Sequence, residues 1–234
     1  MHSKTSIKNN KLVGVIGGTH FDSKLGMEFL SQRNITAISS NISDDPFTQT
    51  MLQLSSKTLT DKVKNKINIL LNGGCASIFI YCNSLSGAID LDYLRDYFSI
   101  PLFTPIETYP LVSNQYNSIG VTAANCQSLS NIERIILKTN PRAVITGFSS
   151  LLIVDSIEKG LSPKEIINQY DLIMLCNLLE KNNVRLLLLG CTHFSYFYNE
   201  LSASLREEKI GITLFDPSET MLKNILAYQQ QALI

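Results

Sequence analysis

Short apolar runs of strand length alternate along this chain with longer stretches in which apolar residues return every three or four positions. That is the pattern of alternating β and α elements, which implies parallel sheets. Strand-type runs fall at 13–16, 35–40, 78–81 and 100–103, and again at 119–123, 143–146, 184–189 and 212–215. Helical spacing predicts a helix after Gly17-Gly18-Thr19 that carries Leu25, Phe29 and Leu30, with Ser23 as its cap. A single long helix is expected over about 47–71, from the recurrence of Phe47, Met51, Leu54, Val63, Ile67 and Leu70, ended by Asn72-Gly73-Gly74. Further helices are expected over about 91–98, around Leu129, Ile132, Ile135 and Ile136, from Ser162-Pro163-Lys164-Glu165 to about Lys181, and after Pro217.

The alternation pauses around 109–117 and restarts at Ser118, where Ile119-Gly120-Val121 repeats the type of Val13-Gly14-Val15. In both halves a strand-length run then delivers a cysteine followed at once by small hydroxyl or amide residues: Cys82-Asn83-Ser84 and Gly190-Cys191-Thr192-His193. The similar distance from glycine loop to cysteine in each half suggests an internal duplication. The expected division is a first domain of 12–107 plus 208–234 and a second of 108–207, the last strand and helix returning to the first half. Ligands of open α/β sheets bind at the carboxyl ends of the strands. Two thiols presented there in the same way suggest a paired acid and base.

Charge and composition narrow the partners. The 234 residues carry twenty basic and twenty acidic side chains, a formal charge of zero, so no electrostatic footprint recommends nucleic acid or an anionic membrane. No apolar run approaches the length of a membrane span. The polar start, residues 1–11, has no apolar core of a secretory signal and reads as a frayed terminus, with His2 part of that tail. Five cysteines, without paired spacing and mostly inside apolar segments, suit free thiols in a reducing cytoplasm. Cys75, Cys126 and Cys176 read as small core hydrophobes. The spacing around Cys191 is not that of a zinc site, so no metal is expected. The full glycine spacing of a nicotinamide loop is missing as well.

The two cysteine motifs together resemble those of the cofactor-independent aspartate/glutamate racemases. Cys82-Asn83-Ser84 is similar to that family's Cys-Asn-Thr, and Gly190-Cys191-Thr192-His193 to its Gly-Cys-Thr-His or Gly-Cys-Thr-Glu. Gly14-Val15-Ile16-Gly17-Gly18 looks like the family's opening strand and glycine loop, and Pro105-Ile106-Glu107 like the segment between its domains. The resemblance spans roughly 12–217. It implies two similar parallel-sheet α/β domains related by pseudo-symmetry, with an acidic amino acid held in the cleft between them, no cofactor, and room for a homodimer.

By that resemblance Cys82 and Cys191 are the catalytic pair, one thiolate removing the α-proton and the other thiol returning one from the opposite face. Thr19, Asn83, Ser84, Thr122, Thr192 and Lys159 are the expected substrate-binding residues. His193 is expected to support Cys191, and Asp22 to support Cys82. The glycine loop and chain length favour aspartate narrowly, whereas His193 leans toward the glutamate branch. Two other readings stand beside this one: a related decarboxylase or isomerase working with a single cysteine, and a catalytically silent amino-acid binding protein.

Overall fold

The computed structural model describes residues 11–231. The tail residues 1–10, His2 among them, and 232–234 of the expected first domain lie outside the described residues. The first half runs β1 (Val13–Gly17), α1 (His20–Ser31), β2 (Ala37–Asn41), α2 (Pro46–Leu52), α3 (Ser56–Asn72), β3 (Ser77–Ile80), α4 (Asn83–Ala88), α5 (Leu91–Phe98) and β4 (Leu102–Phe103). A 3-10 turn, Pro105–Thr108, and α6 (Tyr109–Ser113) bridge to the second half. There follow β5 (Ser118–Ala123), α7 (Cys126–Thr139), β6 (Val144–Ser149), α8 (Leu151–Glu158), α9 (Pro163–Gln169), α10 (Leu172–Lys181) and β7 (Leu186–Gly190). A second 3-10 segment, Thr192–Phe197, α11 (Tyr198–Glu207), β8 (Thr213–Phe215) and α12 (Pro217–Gln231) complete the chain.

Two four-stranded sheets result, ordered β2-β1-β3-β4 and β6-β5-β7-β8, and every pairing is parallel. The orders are the same pattern used twice, which is the pseudo-symmetry expected from the repeated motifs. Strands β1, β3 and β7 are buried along their whole length, as parallel strands covered by helices on both faces must be. Edge strands β2 and β6 keep partly exposed residues. In each sheet the chain changes direction between the second and third strands in that order, β1 and β3 in one and β5 and β7 in the other. Those switch points are where crevices open at strand ends.

Several expectations are corrected. Ser23 is not the cap of α1. Thr19 is, its hydroxyl accepting from the Asp22 N–H while the Asp22 carboxylate accepts from the Thr19 N–H. Ser23 lies inside the helix and donates to the Thr19 and Ser40 carbonyls. The single helix expected over 47–71 is two, because α2 ends at Leu52 and Ser55 stands at the start of α3. The helix opened by Ser162 is also two, broken at Asp171, whose φ of 49° leaves the right-handed helical region. Helices α8 and α11 are elements that periodicity did not reveal. The last strand does not return to the first half: β8 pairs with β7. Only α12 crosses back, packing Met221, Leu222 and Ile225 against Val13, Val15 and Phe79. Near its end the Gln229 amide exchanges two hydrogen bonds of 2.8 Å with the Lys11 backbone. Among the described residues no helix is long and apolar enough to cross a membrane.

Candidate active site

Both switch points face one another across a small cavity. From the first half come Thr19 and Asp22 after β1, Pro46, Gln49 and Thr50 on α2, and Cys82, Asn83 and Ser84 after β3. From the second come Ala124 and Asn125 after β5, Leu151 and Val154 on α8, and Cys191 and His193 after β7. The two cysteines thus occupy similar positions, Cys82 two residues past the end of β3 and Cys191 directly past the end of β7, and both line the same space. Its volume is about 20 Å³, room for about one water. Gly18 makes the close approach possible: a Cβ there would stand 2.8 Å from Cys82 Sγ and 2.9 Å from Asp22 Oδ2.

Hydrogen bonds close the cleft from side to side. Thr192 Oγ1 donates to Asp22 Oδ1 at 2.8 Å, and Thr19 Oγ1 to Glu158 Oε1 at 2.7 Å. Asn125 Nδ2 donates to Thr50 Oγ1 at 3.0 Å, and Ser128 Oγ to Gln53 Oε1 at 3.1 Å. The Tyr109 hydroxyl donates to Asn83 Oδ1.

The electrostatic centre is His193. Its Nδ1 lies 2.9 Å from Asp22 Oδ1 and its Nε2 2.8 Å from Glu158 Oε1, while Phe21 stacks on the ring at 5.2 Å between centroids. Cys191 Sγ is 3.8 Å from Nδ1. Burial pushes the imidazole pKa down, but the Asp22 charge, with hydrogen bonds to Asp22, Cys191 and Glu158, outweighs it and holds the pKa well above 6.5. A doubly hydrogen-bonded imidazolium is therefore the stable form at neutral pH. Burial pushes the Asp22 carboxyl up, and it is in turn held below its usual range by the His193 charge and by donors from His193, Thr192 and the Thr19 N–H. The Gly18 N–H also donates to Oδ2, at 3.1 Å.

Cys82 sits differently. Its sulfur contacts Ser84 Oγ at 3.3 Å. Burial first, and then the Asp22 charge, push its thiol far up against the smaller opposing pull of Ser84 and the Leu85 N–H; Cys191 adds to the upward push. Two thiols in one site thus have unlike surroundings, one buried under the influence of a carboxylate charge, the other beside a cation.

Of the substrate-binding residues expected from sequence, Thr19, Asn83 and Ser84 line the cavity. The other three lie outside its lining. The Thr122 hydroxyl is spent on the Leu188 carbonyl at 3.2 Å, and Thr192 on Asp22. Lys159 stands at the end of α8, its exposed ammonium paired with Asp155 at 2.6 Å. Asp22 hydrogen-bonds His193 and Thr192 across the cleft; its influence on Cys82 is through charge.

Sequence reasoning missed Glu158 and Gln49. Glu158 ends a helix that was not foreseen. Gln49 lies on α2, and its Nε2 is buried in the cavity wall with no partner, as is Asn83 Nδ2. The acceptor oxygens of the two amides are engaged, by Ser43 and Tyr109, which turns both NH2 groups into free donors. A buried donor left unpaired costs about 1–3 kcal/mol, so these two are poised for an acceptor on a ligand.

Comparison with known proteins agrees with this architecture. No protein-family model matches the chain. It is 25% identical over 160 residues to the glutamate racemase of Clostridium novyi, covering 65% of this chain and 61% of that enzyme. Against the glutamate racemase of Latilactobacillus sakei it is 27% identical over 176 residues, covering 70% and 61%. The chain thus matches only about three fifths of the length of these curated relatives. Among solved structures, the glutamate racemase of Francisella tularensis in complex with D-glutamate superposes with a TM-score of 0.70 at 20% identity, covering 95% of this chain and 82% of that one. The aspartate racemase of Picrophilus torridus superposes with a TM-score of 0.61 at 17% identity, covering 94% and 95%.

Proposed function

We propose that this chain, whose sequence relatives and fold are those of the aspartate/glutamate racemase family, interconverts the L and D forms of an acidic amino acid without a cofactor. Cys82 and Cys191 are its two acid/base groups. The observation that carries the proposal is their similar placement, past β3 and past β7, on opposite halves of one cavity. A stereocentre between them presents one face to each sulfur.

Racemisation needs a base on one face of Cα and an acid on the other. Cys82, whose environment keeps the thiol protonated, is the resting acid. Cys191 is the base for the enantiomer whose α-hydrogen faces the second half. It takes the α-proton as Cys82 gives one up from the opposite side, so the two thiols end with their protonation exchanged. That exchanged state is the one suited to the reverse reaction.

The α-proton is weakly acidic, and the developing negative charge on the carboxylate must be met by fixed donors. Asn83 Nδ2 and Gln49 Nε2, the unpaired amides of the wall, fill that part, with Thr19 and Ser84 beside them. The His193 imidazolium, anchored by Asp22 and Glu158, supplies the positive charge. A cavity with room for one water excludes bulk solvent from the intermediate, so substrate enters by parting of the two walls. The five cysteines are free, and a reducing cytoplasm keeps the pair in the thiol form this chemistry requires.

Aspartate is the preferred substrate on the confinement of the site and its glycine loop. Glutamate is the second reading, favoured by the names of the curated relatives. The deciding experiment is incubation of the protein with each pure enantiomer of both acids, followed by chiral chromatography. Loss of racemisation is expected in both Cys82→Ser and Cys191→Ser. Full activity in either variant would replace the two-base scheme with single-cysteine chemistry. Ligand-induced stabilisation of the wild type without turnover of any of the four substrates would make the protein a binding protein.

A further inference from the structure

The alternation of strands and helices pauses around 109–117, and the first residue of that pause reaches the site from outside the cavity. Tyr109 opens α6, in the segment that bridges the halves, and is fully buried. Its ring belongs to the core of the second half, in one cluster with Val112, Ile119, Val121, Ile132 and Leu188. Its hydroxyl donates to Asn83 Oδ1 in the first half, on the residue directly after Cys82. The ring is no part of the cavity lining, so Tyr109 touches the reaction space only through Asn83.

A side-chain amide has two orientations half a turn apart, and only one of them offers the substrate a donor. A buried phenol needs a partner for its O–H, and Asn83 Oδ1 is the acceptor that the Tyr109 hydroxyl has among the described residues. With the amide turned over, the O–H would face an NH2 group and lose its acceptor, a penalty of roughly tenfold to a hundredfold in population. Burial, and then the charges of Cys191, Cys82 and Asp216, hold the phenol pKa well above its usual 10, so the O–H is kept at neutral pH. Held from this side, Asn83 keeps Nδ2 in the cavity wall without a partner.

We infer that Tyr109 is a positioning residue for the reaction, fixing the Asn83 amide with its NH2 toward the substrate carboxylate. The inference rests on the racemase reading above and adds to it a residue of the bridge between the halves. The donor that meets the substrate from the first half is thereby oriented from the core of the second. In Tyr109→Phe the productive orientation leaves Asn83 Oδ1 buried with no donor. The inverted one turns that oxygen to the cavity, where a water can meet it, but sets it against the carboxylate of an incoming substrate.

A double-mutant cycle tests this, with kcat/KM for aspartate and glutamate measured on wild type, Tyr109→Phe, Asn83→Ala and the double variant. Tyr109→Phe is expected to lose about tenfold to a hundredfold, and Asn83→Ala at least as much. The double variant should stay within about twofold of Asn83→Ala, because a residue that acts through Asn83 then has nothing to act on. A merely structural contribution of the hydroxyl would be felt in both backgrounds. The second readout is the Asn83 side-chain NH2 pair in a proton–nitrogen correlation spectrum, identified by its loss in Asn83→Ala. Saturating aspartate or glutamate is expected to shift this pair in wild type and to shift it less in Tyr109→Phe. Activity of Tyr109→Phe within about twofold of wild type overturns the inference, as do losses that multiply in the double variant or an NH2 pair that neither acid moves in wild type. A wild type that turns over neither acid ends the racemase reading as well, whereas an undiminished Tyr109→Phe beside an active wild type ends this inference alone.

Discussion

Replacing Asp22 by asparagine removes one charge and almost no volume from the centre of the cleft. Four donors converge on this carboxylate. The Gly18 and Thr19 N–H groups reach Oδ2 at 3.1 and 3.3 Å, while Thr192 Oγ1 and His193 Nδ1 reach Oδ1 at 2.8 and 2.9 Å. An amide turned either way sets its NH2 against two of those donors, and the His193 cation loses its nearest counter-charge. Breaking a buried ion pair by removing one partner costs about 3–5 kcal/mol, a large part of the 5–15 kcal/mol that typically holds a domain folded.

The pH dependence follows from the two shifts. The Asp22 carboxyl is held below its usual 3.8, so its contribution is complete above pH 3.8 and fades as pH falls through the lower folded value. The His193 imidazole is held well above its usual 6.5, so its contribution is complete below pH 6.5 and is lost as pH rises through the folded value. The gap between wild type and Asp22→Asn is therefore widest between pH 3.8 and 6.5 and narrows on either side. Urea unfolding followed by circular dichroism across that range is the assay, with a midpoint shift of about 1–2 M expected at pH 6. A shift below about 0.3 M, or one that does not change between pH 6 and pH 10, would refute the ion-pair reasoning.

Other outcomes follow from the same geometry. Glu158→Gln keeps the shape but weakens charged hydrogen bonds to His193 and Thr19, so steady-state racemisation should fall about tenfold to a hundredfold, the value of one such bond. Gly18→Ala sets a methyl 2.8 Å from Cys82 Sγ, and the displaced sulfur should cost at least about tenfold in kcat. Lys159→Ala should leave kcat and KM unchanged within about twofold, because its partner is the partly buried Asp155 on the surface of α8. Gln49→Ala, which removes an unpaired wall donor, should raise KM for the acidic amino acid and leave the melting temperature within about 2 °C.

The elements legible in the sequence were those whose signal is local. Val13 to Gly17 and Leu186 to Gly190 are buried on both faces, and a continuous apolar run ending in glycine announces that kind of strand. The cysteine motifs were readable because each immediately follows such a run. Helix breaks were not: a left-handed Asp171 and the turn at Ser55 leave the apolar spacing of their neighbours intact. Helix α8 escaped because Leu151-Leu152-Ile153-Val154 is a continuous apolar run rich in β-branched residues, which strands favour equally. The placement of β8 beside β7 is decided by tertiary packing, and no local pattern distinguishes it from a strand returning to the first sheet. Glu158 reaches His193 and Thr19, and Gln49 reaches the cavity, from helices far from either cysteine in sequence. Thr122 and Thr192 were assigned by motif, yet their hydroxyls are committed to the Leu188 carbonyl and the Asp22 carboxylate.

The central claim is that two thiols act on opposite faces of one α-carbon. It is tested most directly by following each enantiomer of aspartate and glutamate in deuterated water by proton magnetic resonance and chiral separation. The account predicts that, at early times, newly formed product of the preferred acid carries deuterium at Cα while unreacted substrate still carries hydrogen, from either starting enantiomer. Absence of exchange with all four substrates, or deuterium entering the substrate pool without inversion, would contradict it.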